Sequence, residues 1–201
     1  MKRPGVFVGL LVFAVMVYIV LNTLRTEGPG SRGVQEGTQL PPFAMPLAVS
    51  DLDGDANVSD KACSVRGEKI LNVCELAERG PVVLAFFAEP SQRCDDEVDT
   101  LDRLRSQYPD VQFAAVAIRG NRTDLRAVIR DSGLRYPVGY DHDGQVANVY
   151  RVAGCPTTTF AYPGGIVMHT YLGLLDEARL SGVLKRLVAG SEQRGWKQPA
   201  A

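Results

Sequence analysis

The chain opens on an unbroken apolar block. Val6 to Leu21 is apolar or aromatic apart from Gly9 and carries no charge. Carried on to Leu24, the stretch is about 19 residues, roughly 28 Å of helix against a hydrocarbon core of ~30 Å. It predicts a membrane-spanning helix over 6–24, preceded by a short terminus, 1–5. Residues 25–39 then bring four glycines, a proline and mostly polar side chains. Such a segment cannot bury enough surface to order itself, and it is expected to be a flexible linker.

From Leu40 onward the pattern changes to short elements. Pro81–Ala88 and Val111–Ile118 are apolar runs rich in β-formers, of the kind buried on both faces of a sheet. Between them Val98, Leu101 and Leu104 recur at helical spacing, and Pro109 follows the expected helix end. Thr123–Arg130 predicts a second helix, with Thr123 or Asn121 as its N-cap. Tyr136–Tyr140 reads as a short strand and Val146–Tyr150 as a short helix. Thr157–Tyr162 and Ile166–Tyr171 flank Pro163-Gly-Gly165, a hairpin signal. Leu175, Ala178, Leu180, Leu184 and Leu187 mark a closing amphipathic helix over 174–188. A disordered tail is expected over 190–201. The order predicts one α/β domain, 40–189, with helices packed on a mixed sheet.

Composition and charge narrow the setting. Lys2 and Arg3 precede the apolar block, so the N-terminus should stay cytoplasmic and the domain should be extracytoplasmic at the cell membrane. The rival reading is a cleaved signal peptide. No Ala-x-Ala site follows the block, and the block exceeds the ~7–15 residues of a signal core. A net charge of −1 gives no electrostatic reason to expect nucleic acid. Four cysteines are too few to build a mini-protein, but an even number suits two disulfides in an oxidising compartment.

Two segments carry a family resemblance. Val82-Val-Leu-Ala-Phe-Phe-Ala-Glu-Pro-Ser-Gln-Arg-Cys94 resembles the strand, Cys-x-x-Cys and helix segment of membrane-anchored thioredoxin-like proteins of the TlpA/ResA and redoxin (AhpC/TSA-like) type. Tyr150-Arg-Val-Ala-Gly-Cys155-Pro-Thr-Thr-Thr-Phe resembles the family's cis-proline stretch and places Pro156 in that role. Ala48–Gly54 looks like its early β-turn. The resemblance, over roughly 40–187, implies a thioredoxin-like fold and thiol–disulfide oxidoreductase activity. The implied partners are extracytoplasmic proteins bearing a thiol or a disulfide, met in a groove shaped by Ser91 and Pro156. Ser91 stands where the family has its first active-site cysteine, and a serine alkoxide is far too basic to replace a thiolate. The resemblance therefore points to Cys94 and Cys155 as the exchanging pair. A static disulfide between them, or two inert thiols, are the alternatives. Asp95, Asp96, Glu97 and Asp99 crowd the same helix start and oppose a thiolate at Cys94, with Arg93 a partial offset.

Other chemistry stays open at this point. Ser91-x-x-Cys94 echoes the peroxide-reducing branch of the family, although Phe87 stands where that branch has a proline. A binding module that kept the groove without turnover is the non-enzymatic reading. Cys63 and Cys74, 11 residues apart, are expected to form a structural disulfide, neither at a helix start; four cysteines allow three pairings. Asp51-Leu-Asp-Gly-Asp55 reads as a turn, since its glycine comes too early for a calcium loop. His142 and His169 read as surface or packing residues. No metal, flavin or nucleotide is implied.

Overall fold

The computed structural model describes residues 9, 11–18, 33–88, 92–118 and 120–197, without the side chains of 92–95. Strand β3 (Val82–Phe87) is buried along its whole length because both of its faces are covered. Val83, Ala85 and Phe87 enter one apolar core; Val82, Leu84 and Phe86 enter a second on the opposite face. This is why the run shows no polar alternation. β3 pairs in parallel with β4 (Gln112–Ala117), which pairs in parallel with β5 (Val138–Tyr140). On its other side it pairs antiparallel with β6 (Thr157–Ala161), and β6 with β7 (Val167–Leu172), giving the mixed order β5-β4-β3-β6-β7.

The helices close both faces. α2 (Gln92–Arg105), α3 (Arg122–Ser132) and α5 (Glu177–Gln193) supply Val98, Leu101, Leu125, Leu180, Leu184 and Leu187 to the first core. α1 (Val73–Arg79) and the short α4 (Gln145–Val149) cover the second. Of the two residues open as cap of α3, Asn121 does the work, its side chain accepting from the Thr123 amide at 2.7 Å. A two-stranded sheet of β1 (Ala44–Pro46) and β2 (Ile70–Asn72) was not legible in the sequence, since three residues are too few to show a period. Gly139 of β5 admits it: a Cβ there would lie 2.2 Å from the Met45 sulfur.

Two boundaries differ from expectation. Within the expected linker, 33–39 is seated on the edge of β7: Gly37 N–H donates to Val167 O and Val167 N–H to Thr38 O, both at 2.8 Å. Backbone pairing there needs no apolar side chains, so composition hid it. Within the expected disordered tail, α5 continues to Gln193. Ser191 is buried, Arg194 stacks 3.7 Å from the Tyr162 ring centroid, and Trp196 packs beside Gly80. Residues 48–54 form a turn and bend without strands, because Arg122 and Arg126 draw in the carbonyls of Ala48 and Ser50. Among the described residues no helix is long and apolar enough to cross a membrane. Residues 9 and 11–18 are helical, and the rest of the span expected over 6–24 lies outside the described residues.

Candidate functional site

The end of β3 leads into α2, whose first turn contains the Cys94 backbone. Ser91 and the Cys94 side chain lie outside the described residues. Cys155 and Pro156 enter β6 from the other side, and the peptide bond between them is cis. This loop is held at both ends: Thr157 Oγ1 donates to Gly154 O at 2.6 Å, and the Gly173 amide to Pro156 O at 2.8 Å. Cys155 is half-buried and its sulfur is in a disulfide, so it does not titrate.

Glu97 is a site residue whose burial the sequence reading did not foresee. Grouped above with the acids that crowd the helix start, it is 1% exposed. One carboxylate oxygen accepts from the Thr158 hydroxyl at 2.5 Å and the other from the Leu175 amide at 2.9 Å. It thus ties α2 to the strand just beyond Pro156 and to the loop before α5. Burial pushes its carboxyl above the usual range, only partly opposed by those two donors. Glu97 therefore keeps its proton to higher pH than an exposed glutamate. A signal was present: Glu97 shares the helical phase of Leu101 and Leu104, which face the core.

Cys63 and Cys74 form a disulfide with a Cα–Cα distance of 5.3 Å. Contrary to expectation, Cys74 does sit at a helix start, as the second residue of α1. Asn72 organises the same corner. Its Oδ1 accepts from the Cys74 and Glu75 amides, and its Nδ2 donates to Ala62 O and Val65 O.

The remaining candidates resolve into local contacts. Each acid of the 51–55 segment faces a base: Asp51 meets Lys69 at 2.6 Å, Asp53 meets Arg122 at 3.0 Å and Asp55 meets His142 at 3.4 Å. Among the described residues no group of three or more His, Cys, Asp or Glu is placed to hold a metal ion. His169 pairs with Glu36 and stacks on Tyr171, which pins the 33–39 segment to β7.

Comparison with known proteins agrees with this architecture. The model of the AhpC/TSA family matches residues 37–170. The thiol-disulfide oxidoreductase ResA of Oceanobacillus iheyensis is 23% identical over 177 residues, covering 87% of this chain and 83% of its own. The thioredoxin-like protein YneN of Bacillus subtilis is 24% identical over 177 residues, covering 86% and 92%. Among solved structures, a thiol:disulfide interchange protein of the thioredoxin family from Chlorobium tepidum superposes with a TM-score of 0.61 at 15% identity, covering 77% of this chain and 99% of that one. A secreted disulfide oxidoreductase of Mycobacterium tuberculosis gives 0.52 at 22%, covering 60% and 88%. The fold is thioredoxin-like, a mixed sheet between helices.

Proposed function

The chain belongs to the AhpC/TSA family, and we propose that it is a thiol–disulfide oxidoreductase whose exchanging pair is Cys94 and Cys155. The observation that carries this reading is the placement of Cys155, disulfide-bonded and directly before cis-Pro156. Cys63 and Cys74, meanwhile, are bonded to each other. The Glu97–Thr158 contact supports it further, since it joins α2, which carries Cys94, to the strand that follows Pro156.

In this reading a partner thiolate attacks one sulfur of the Cys94–Cys155 bond. A mixed disulfide forms and the other sulfur leaves as a thiolate. A second partner thiolate then displaces the first cysteine. The partner departs as a disulfide and the pair is left as two thiols, two electrons richer; the reverse sequence reduces a partner disulfide. Glu97, whose carboxyl burial raises above its ordinary value, is the group in this reading that would supply or take up the proton the leaving sulfur requires.

The setting proposed is the outer face of a membrane, with residues 6–24 as anchor and Lys2 and Arg3 on the cytoplasmic side. The uncharged apolar block supports it, as do disulfide-bonded cysteines, which persist in oxidising compartments. The partners are extracytoplasmic proteins with an accessible thiol or disulfide.

A glutathione redox titration of the full chain, with mass spectrometry of each cysteine pair, tests the exchange. The expected result is reversible Cys94–Cys155 pairing at a potential above about −300 mV, with Cys63–Cys74 still oxidised there. Cys94→Ser and Cys155→Ser should each abolish dithiol-dependent turnover. Full exchange in Cys94→Ser would show that the site is misplaced. Ser91 favours a second reading, a thioredoxin-fold module that captures partners without turnover. Stoichiometric capture with no cycling would establish that one instead.

A further inference from the structure

A groove of about 630 Å³ runs from the end of β7 along α5 as far as Arg186. It begins at the cis-proline loop. Thr157 is the cross-strand partner of Leu172, the Gly173 amide holds Pro156 O, and a Cβ on Gly154 would lie 3.6 Å from Leu172. Leu172 and Leu174 stand on either side of Gly173 at 54% and 51% exposure, which is much for leucines beside a reactive loop. Further along, Gly182 leaves the face of α5 open, with only the end of Arg186 near the place of its Cβ, at 3.7 Å.

The charge lining this groove has one sign. Arg179 and Arg186 are on its wall and no carboxylate is among the described lining residues. Arg179 is largely exposed, with Asp176 at 3.6 Å, and Arg186 donates to the Tyr171 hydroxyl at 3.3 Å. Exposed leucines want an apolar side chain, and guanidinium groups in a fork geometry select carboxylates.

We propose that this groove binds an extended segment of the partner protein in which an apolar residue is followed by an acidic one. The apolar side chain lies on Leu172 and Leu174, and the carboxylate meets Arg179 or Arg186. The proposal rests on the exchange reading, since the segment enters beside the loop that carries Cys155. It adds a substrate class: partners whose reactive cysteine is flanked by apolar and acidic residues.

The test uses the full chain and two peptides of about ten residues that differ only in Asp or Lys after a leucine. A serine replaces the cysteine, so no exchange can occur. Fluorescence anisotropy in low salt should show the Asp peptide binding roughly tenfold tighter than the Lys peptide, with the gap shrinking at high salt. Arg179→Glu with Arg186→Glu should reverse the order. Gly182→Leu, which fills the groove and favours the helix, should weaken both peptides. Equal affinities, no binding of either peptide, an order unchanged by charge reversal, or full binding by Gly182→Leu would each overturn the proposal. The cysteine versions separate the two ideas. If they fail to exchange while the serine peptides are still discriminated, the oxidoreductase reading falls and the groove stands. If both exchange at equal rates and the serine peptides are not discriminated, only the groove falls.

Discussion

At the scale of single residues, Glu97 shows how burial changes the meaning of a side chain. On composition it adds negative charge beside Cys94; in the fold it is a protonatable group with two hydrogen-bond donors. Its folded pKa lies above the unfolded one, so between the two values the folded state holds a proton that the unfolded state has lost. The stability this contributes is complete below the ordinary carboxylate range and disappears as pH rises through the folded value. Asp141, also pushed up by burial, acts in the same sense. Glu97→Gln removes one of these titrations. The expected outcome is that the variant gains stability relative to the parent as pH rises, measured by urea unfolding at matched pH. A difference that is flat with pH would show that Glu97 titrates alike in both states. The same variant should slow thiol exchange at least roughly tenfold, since it has no proton to give.

Elements depend on partners that their own sequence does not announce. α1 is only 7 residues long and draws on two devices at its start, the Asn72 cap and the Cys63–Cys74 bond. The cap acts in the folded state, while the bond restricts the unfolded chain, so their losses should add. Replacing both cysteines by alanine should lower stability by roughly 2–3 kcal/mol and leave exchange at Cys94 intact. Asn72→Ala should lower it by about 2 kcal/mol, because a cap is lost and two carbonyls lose their donor. Urea unfolding under oxidising conditions reads both, and unchanged stability in the cysteine variant would remove the structural role. α5 offers the complementary case at its C-terminal end. Ending the chain after Ala189 deletes the Arg194–Tyr162 stack and the Trp196 contact, for an expected loss of about 1–3 kcal/mol. An unchanged thermal midpoint would mean that the tail is as loose as its composition suggests.

For the whole molecule, the proposed membrane topology turns on which side of the membrane the domain occupies. Segment 33–39 lies along the sheet edge, so in the proposed topology only residues 25–32 remain to separate domain from anchor. A protease added outside intact spheroplasts should therefore digest the domain, while the intact cells' cytoplasmic proteins stay protected. Full protection of the domain would reject the N-in arrangement. The short spacer also predicts that the domain works close to the membrane surface, on partners that are themselves envelope proteins.

The sequence by itself determined the long apolar block, the buried strands β3 and β4, the amphipathic phase of α2 and α5, and the hairpin at Pro163–Gly165. All of these are local periods or turn chemistry, and each can be read within one element. It also singled out Cys155-Pro156 through a motif whose residues are contiguous. Tertiary structure alone decided the rest. The pairing of β1 with β2 joins residues distant in sequence, the seating of 33–39 uses backbone groups that every residue has, and the 191–197 segment is held by Tyr162 and Gly80 from other elements. The helical phase of Glu97 is local, but its hydrogen bonding as a buried acid depends on donors supplied by Thr158 and Leu175, 61 and 78 residues further along the chain. A carboxyl written among aspartates becomes a buried acid only when such donors arrive from elsewhere, and no local pattern records their arrival.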